Sequence, residues 1–466
     1  MYDGAVKSRI SLAVLAVCVA VVSLAAQIGD ARDITQTSVK SHLEFLASDA
    51  MNGRGSGTRD EWIAAEYLAS QMRLSGLEPL GDSGGYVQTI EIERSQLAKP
   101  PVLSFGFGRF THGAEILVTS MGASRHAGPL QKYQPGLDIK PGAVVLLPED
   151  RSANAVPGLT SAAIVLSIES PQARQQWSTI AARPVALGAS LAAVASTAAP
   201  RAARVILDKA AYASIASLSD GTSISLEGDA APPQRTQTWN AVGQLKGRDP
   251  SRAGEVILLS AHLDHIGARA PRPGEPADAD TINNGADDDA SGCVAVLEIA
   301  KALAHDKRPR RTIVFAFFGS EEAGGFGSRH LAEKPPVALT QIIANLQFEM
   351  IGRPDKAVPE KTLWLTGFER STLGPSLARH GARLVKDPHP EQNFFFRSDN
   401  IHFARRGVVA HTVSSYGLHK EYHTPEDETR LVDYAHMTEA IRSMVRPIRW
   451  LADSKFRPDW LPGQKP

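Results

Sequence analysis

The chain has 466 residues, enough for two or three domains with ample buried core. At 43% hydrophobic and 6% aromatic residues, its composition is ordinary for a soluble globular protein. Fifty basic residues balance fifty acidic ones, which excludes a global field that would attract nucleic acid or an anionic membrane.

At the N-terminus Lys7 and Arg9 precede an apolar stretch over residues 10–26, and small residues (Ala25, Ala26, then 29–31) follow. That order reads as a secretory signal peptide over residues 1–31, cleaved between Ala25 and Ala31. The alternative is an uncleaved membrane anchor, against which the apolar run stands near the lower length limit for spanning. Cys18 lies inside the run with apolar residues after it, which argues against lipid attachment there. Export to a periplasmic or extracellular space is therefore expected, without stable membrane association after cleavage. Cys293 would then be the one cysteine of the mature protein, so no internal disulfide can form.

Residues 32–99 read as two helices, a turn and a strand. Ile63, Tyr67 and Leu68 stand at helical spacing within 59–77, and Gly76 can end that helix. A Gly-rich turn at 81–85 leads into residues 86–90, which alternate like a strand. Residues 100–235 change character: short apolar runs at 143–147, 163–167 and 203–207 are separated by Pro-, Gly- and Ala-rich stretches. This segment reads as a smaller, β-rich inserted domain of α+β type, with Pro232 and Pro233 at its exit.

Residues 236–455 alternate strand with helix, and 456–466 form a C-terminal tail. Apolar runs at 256–260, 312–318, 342–348 and 408–413 suit a sheet covered on both faces. Val296, Ile299 and Leu303 recur at spacings of three and four, as in a packed helix over 293–303. The alternation predicts an α/β domain with a mostly parallel, mixed sheet flanked by helices.

In open α/β sheets, ligands bind beyond the carboxyl ends of the strands. His262 follows the first of these runs, with Asp264 and His265 close behind. A neutral imidazole there can bind a metal, and a nearby carboxylate can fix its tautomer. His262 is the better ligand candidate, with Asp264 behind it. The stretch 283–292 carries Asp287, Asp288 and Asp289 among small residues that let the backbone fold around a central carboxylate. Three adjacent acids also suit a solvated loop or a helix N-terminus. One carboxylate can hold two cations, one on each oxygen, at a separation of ~3.5–4 Å.

Glu321 and Glu322 follow the run ending at Phe318. Two neighbouring carboxylates at a buried strand end repel unless a positive charge lies between them. A metal resolves this, with one glutamate as ligand and the other as general base. Glu349 ends the next apolar run, and Tyr422 and His423 precede a proline turn at Pro425.

These strings together (His262-Leu-Asp264, Gly285 to Gly292, Ser320-Glu321-Glu322-Ala-Gly324, Asn345 to Gly352 and Tyr422-His423-Thr-Pro425) resemble the M28 family of zinc peptidases. The resemblance covers residues 40–95 as the family's N-terminal helical part and 236–452 as its catalytic core. It implies a zinc aminopeptidase-like fold and a peptide substrate. Residues 100–235 sit where many members carry a protease-associated domain. The resemblance further implies two Zn2+ ions per chain, bridged by Asp288, with His262 and Glu349 on one and Glu322 and His423 on the other. It makes Glu321 the general base, Asp264 the outer partner of His262, and Tyr422 a stabiliser of the oxyanion. Many members have aspartate where this chain has Glu349, so one metal position carries an extra methylene. Ser398-Asp399-Asn400 is similar to a family segment near the substrate pocket.

Three other readings compete. Gly81 to Gly85 matches serine-nucleophile strings, but an elbow needs a strand before the serine and a helix after it, the reverse of the order here. A single-zinc glutaminyl cyclase and a non-catalytic binding protein on the same fold both fit less well, because all six positions are suitably filled. The expected function is exopeptidase action at peptide N-termini; oligomeric state has no signature in the sequence.

Overall fold

The computed structural model describes residue 31 and residues 33–466, apart from 152–155, 157, 193–201, 253 and 272–273. The leader expected over residues 1–31 lies, except for Ala31, outside the described residues. Among the described residues, no helix is long and apolar enough to cross a membrane. The chain divides into two compact units: Met1–Ile90 with Gln237–Pro466, and Glu91–Thr236.

Apart from the two-residue strand Glu78–Pro79, the first unit is built on eight strands: β1 (Val87–Gln96, of which residues 87–90 belong here), β2 (Gln234–Leu245), β3 (Val256–His262), β4 (Thr312–Phe318), β5 (Ile342–Phe348), β6 (Leu363–Leu365), β7 (Leu384–Lys386) and β8 (Ala410–Ser414). Their order across the sheet is β7-β6-β8-β5-β3-β4-β2-β1. The central strands β8, β5, β3 and β4 run parallel, while β2 pairs antiparallel with β4 and β6 antiparallel with β8. This is the mostly parallel mixed sheet expected from the alternation of elements.

Successive residues of β3 and β4 serve opposite faces. Ile257, Leu259, Phe315 and Phe317 enter one buried cluster, and Val256, Leu258, Val314, Ala316 and Phe318 enter another. Burial on both faces is why these strands read as unbroken apolar runs rather than alternating ones.

Helices α1 (Gln36–Leu46), α2 (Arg59–Leu74), α3 (Gly292–Ala304) and α4 (Phe326–Glu333) precede α5 (Leu373–Arg379), α6 (Asn400–Ala404) and α7 (Tyr434–Asp453). The Thr58 hydroxyl caps α2 by accepting the Glu61 N–H at 3.4 Å, and Gly76 lies just beyond its end at a φ of 74°. Nearly every residue of α3 is buried, so it is largely apolar around its circumference and packs on β3, α2 and α7. Ser83 lies in an exposed turn ahead of β1, without the strand–turn–helix of a nucleophile elbow.

The second unit has its own eight-stranded sheet, with parallel pairing from Arg125–Lys132 through Val144–Leu146 and Ile164–Ile168 to Ala203–Leu207. Antiparallel strands flank it, and buried clusters around Leu103, Ile164 and Val205 and around Val145 and Leu159 form its core.

Candidate metal centre

Strand register gathers the site. His262 pairs with Phe318 and Ser260 with Gln347, so the residues leaving β3, β4 and β5 emerge side by side at the carboxyl edge. His262 closes β3, Glu321 and Glu322 follow β4, and Glu349 follows β5 directly. Asp288 comes from the turn that leads into α3.

All three acids of that turn are buried, yet they differ in role. Asp289 accepts the N–H groups of His262 (3.1 Å), Gly292 (3.0 Å) and Met350 (3.0 Å). Asp287 accepts the Gly352 N–H at 2.7 Å. The Asp427 carboxylate in turn accepts the N–H groups of Asp287 and Asp288, both at 3.1 Å. The outer two carboxylates are thus occupied in joining loops, and the middle one lines the cleft.

Asp288 turns its two oxygens toward different imidazoles. Oδ1 lies 3.1 Å from His262 Nε2, while Oδ2 lies 3.1 Å from His423 Nε2 and 3.7 Å from His265 Nδ1. Glu322 Oε1 stands 2.8 Å from His265 Nδ1 and 3.1 Å from His423 Nε2. Glu349 and Glu321 line the same cleft as Asp288 and Glu322. The Glu349 carboxylate accepts a hydrogen bond from the Ser398 hydroxyl. Tyr422 stacks on His423 with ring centroids 3.8 Å apart and also lines the cleft. The structure therefore brings together all five residues read as ligands, with Glu321 and Tyr422 beside them.

Asp264 lies against the His262 imidazole through both its backbone and its carboxylate. His262 Nδ1 pairs with the Asp264 backbone carbonyl at 3.1 Å, and the nearer carboxylate oxygen is 3.7 Å away. Nδ1–H donating to that carbonyl leaves Nε2 free to face Asp288. The Asp264 carboxylate also accepts the N–H of Glu321 at 2.9 Å, the N–H of Glu322 at 3.4 Å and the Ser56 hydroxyl at 2.5 Å.

Four residues of the centre were not singled out by sequence reasoning. His265, three positions after His262, is fully buried against Glu322. Arg54 is buried and donates to the carbonyls of Leu46, Leu263, Asn284 and Gly285 at 2.6–3.0 Å. Glu61 accepts the Ser320 N–H at 2.7 Å, and Asp427 anchors the acidic turn. The signal for His265 was present as a second histidine in the turn; nothing local marked the others.

The electrostatics follow from this crowding. Desolvation opposes charge on Glu322 and Asp288, but the facing imidazoles outweigh it and hold both carboxyls below their usual range. Burial would lower His423, yet Asp288 and Glu322 carry it up to about 10. Desolvation, opposed by His262 and reinforced by Asp288, pushes Glu349 up to about 7. Glu321 is also raised, by desolvation first and then by Asp399, Glu349 and Glu322 against the pull of His262. Burial also raises the Tyr422 hydroxyl, with Asp288 and Glu322 adding to it.

Four carboxylates converging on one cleft with few cations is a costly arrangement unless a positive charge enters it. Buried Glu322 Oε1 also has no hydrogen-bond partner. Carboxylate and imidazole donors of this kind fit a divalent metal such as zinc.

Residues 240–446 match the profile of Peptidase family M28. The "probable leucine aminopeptidase 2" of Aspergillus oryzae is 30% identical over 222 residues, which cover 43% of this chain and 40% of that protein. The chain thus matches about two fifths of that relative's length. An aminopeptidase from Aneurinibacillus sp. strain AM-1 superposes with a TM-score of 0.55 at 17% identity, covering 92% of this chain and 96% of that one. A zinc aminopeptidase from Bacillus subtilis gives 0.51 at 18% identity, with 91% and 96% covered. At these identities the two structures establish the fold, and the family profile covers residues 240–446. Residues 240–446 form a domain of peptidase family M28.

Proposed function

We propose that this chain is an exported zinc-dependent aminopeptidase that removes N-terminal residues from peptides. The observation that carries the proposal is Asp288, whose two oxygens face His262 on one side and His423 on the other. In this reading Asp288, His262 and Glu349 would hold one zinc ion, and Asp288, Glu322 and His423 would hold the other. Bound zinc supplies a Lewis acid that polarises the scissile carbonyl and acidifies water.

The chain's own residues do the rest. Glu321, with its affinity for protons raised by desolvation, takes a proton from the attacking water and passes it to the leaving amine. Tyr422, kept protonated by its surroundings, offers its hydroxyl to the developing oxyanion. Trp364 and Phe394, stacked with centroids 5.5 Å apart, form an apolar wall for the side chain of the first residue. Export rests on the leader-like N-terminus.

Metal analysis of the purified protein, combined with aminoacyl and carboxyl-terminal reporter substrates, tests the proposal. Two zinc ions per chain and cleavage of free-amine aminoacyl reporters are expected. One zinc with cyclisation of N-terminal glutamine, or no zinc and no hydrolysis, would replace it with the cyclase or the binding-protein reading.

A further inference from the structure

His265 is the buried group that the five-ligand assignment leaves without a task. Its side chain is fully buried, and neither ring nitrogen has a hydrogen-bond partner. Nδ1 lies only 2.8 Å from Glu322 Oε1, yet both atoms lack hydrogen-bond partners. The approach is close while the alignment of a hydrogen bond is missing. Lone pairs so arranged converge on a shared point between the two groups, as metal ligands do.

The distances agree. Zinc bonds of about 2.0–2.1 Å in a tetrahedron place neighbouring donor atoms roughly 3.3 Å apart. The four spacings around Glu322 Oε1, His265 Nδ1, Asp288 Oδ2 and His423 Nε2 are 2.8, 3.1, 3.1 and 3.7 Å. One donor atom from each of these four residues lies within 4.8 Å of the others. His262 stands apart from this group, on the other oxygen of Asp288.

We infer that His265 is a fourth protein ligand, which makes the two metal positions unequal. The position of His265, Asp288, Glu322 and His423 is closed by protein donors and holds its ion tightly. The position of His262, Asp288 and Glu349 has three protein donors, keeps a vertex open beside Glu321, and exchanges its ion readily. This inference rests on the zinc reading of the site.

The experiment uses the full chain, stripped of metal by a chelator and reloaded with one or two equivalents of Zn2+. X-ray absorption at one equivalent counts the imidazoles on zinc, and competition with a chromophoric chelator gives each affinity. Two imidazoles at one equivalent and two separated affinities are expected for the unaltered chain. His265→Asn and His265→Gln, each checked for an unchanged circular dichroism spectrum, should lose one imidazole from that count. They should also weaken the tighter position by more than the roughly 10–100-fold that loss of an outer partner costs. His262→Asn should leave the tight equivalent in place. One imidazole at the first equivalent, or folded His265 variants with unaltered affinity, would overturn the inference while leaving the peptidase reading intact. Failure of the unaltered chain to bind zinc at all would instead remove the peptidase reading.

Discussion

The Asp264 carboxylate accepts the backbone N–H of Glu321 at 2.9 Å, and the same oxygen lies 3.7 Å from His262 Nδ1, so one side chain links the proposed base to the imidazole. With the Glu322 N–H and the Ser56 hydroxyl on the same carboxylate, the turn after β4 is tied to the turn after β3. Asp264→Ala should therefore misplace Glu321 and lower kcat by about 10²-fold, the scale of a displacement near 1 Å. KM should change little. Steady-state kinetics on an aminoacyl reporter separates the two, and a change confined to KM would refute this role.

Glu321→Gln keeps the shape of the side chain and removes its ability to take a proton. Zinc content should stay at the unaltered level, while kcat falls by about 10²–10⁴-fold, the range for general base catalysis. Full turnover in this variant would exclude Glu321 as the base.

Arg54 joins helix α1, the turn after β3 and the acidic turn through four carbonyls. Arg54→Met fills much of the same space but leaves those buried acceptors without a donor. Such acceptors cost about 1–3 kcal/mol each when stranded, and relaxation shares the loss, so about 3–5 kcal/mol in total is expected. Denaturant unfolding measures it.

Removing metal exposes Asp288, Glu322 and Glu349 to one another across the cleft. Zinc at 100 times its Kd should stabilise the fold by about 2.7 kcal/mol per site. Differential scanning calorimetry with and without chelator should show the midpoint falling by several degrees on stripping. An unchanged midpoint would mean that no ion is bound in the native state.

His411 gives a pH dependence away from the metal ligands. Burial, opposed by the Thr366 carbonyl, lowers its imidazole to about 4, where it bonds Ser371 and Thr366 at 2.7 Å on either nitrogen. The unfolded chain, titrating near 6.5, binds the proton more readily. Stability from this group is therefore complete above about pH 6.5 and is lost as pH falls through 4, by on the order of 3 kcal/mol. Unfolding free energies between pH 7 and 4, compared with His411→Asn, should isolate that contribution; equal slopes in both proteins would remove it.

Much of the fold was legible in the sequence because buried parallel strands leave continuous apolar runs. The runs at 312–318 and 342–348 coincide with β4 and β5, and 256–260 lies inside β3. The short strands β6 and β7, of three residues each, carry too little pattern to be read. The proposed ligands were legible for a related reason: four of the five sit at a strand end or helix start, and the strand ends mark the crevice, while His423 lies in a turn.

The sequence by itself determined which segments become strands and which acids and histidines follow them, since both depend on local pattern. Only the tertiary structure decided how those residues divide the work. Asp288 lines the cleft because Asp287 and Asp289 are drawn off by backbone N–H groups 61 to 65 positions away, and because Asp427, 139 positions away, holds its N–H. The Asp264 carboxylate holds the Glu321 N–H, and His265 meets Glu322, each across 57 positions. Such pairings depend on strand register and on how loops close over it. No local propensity encodes them.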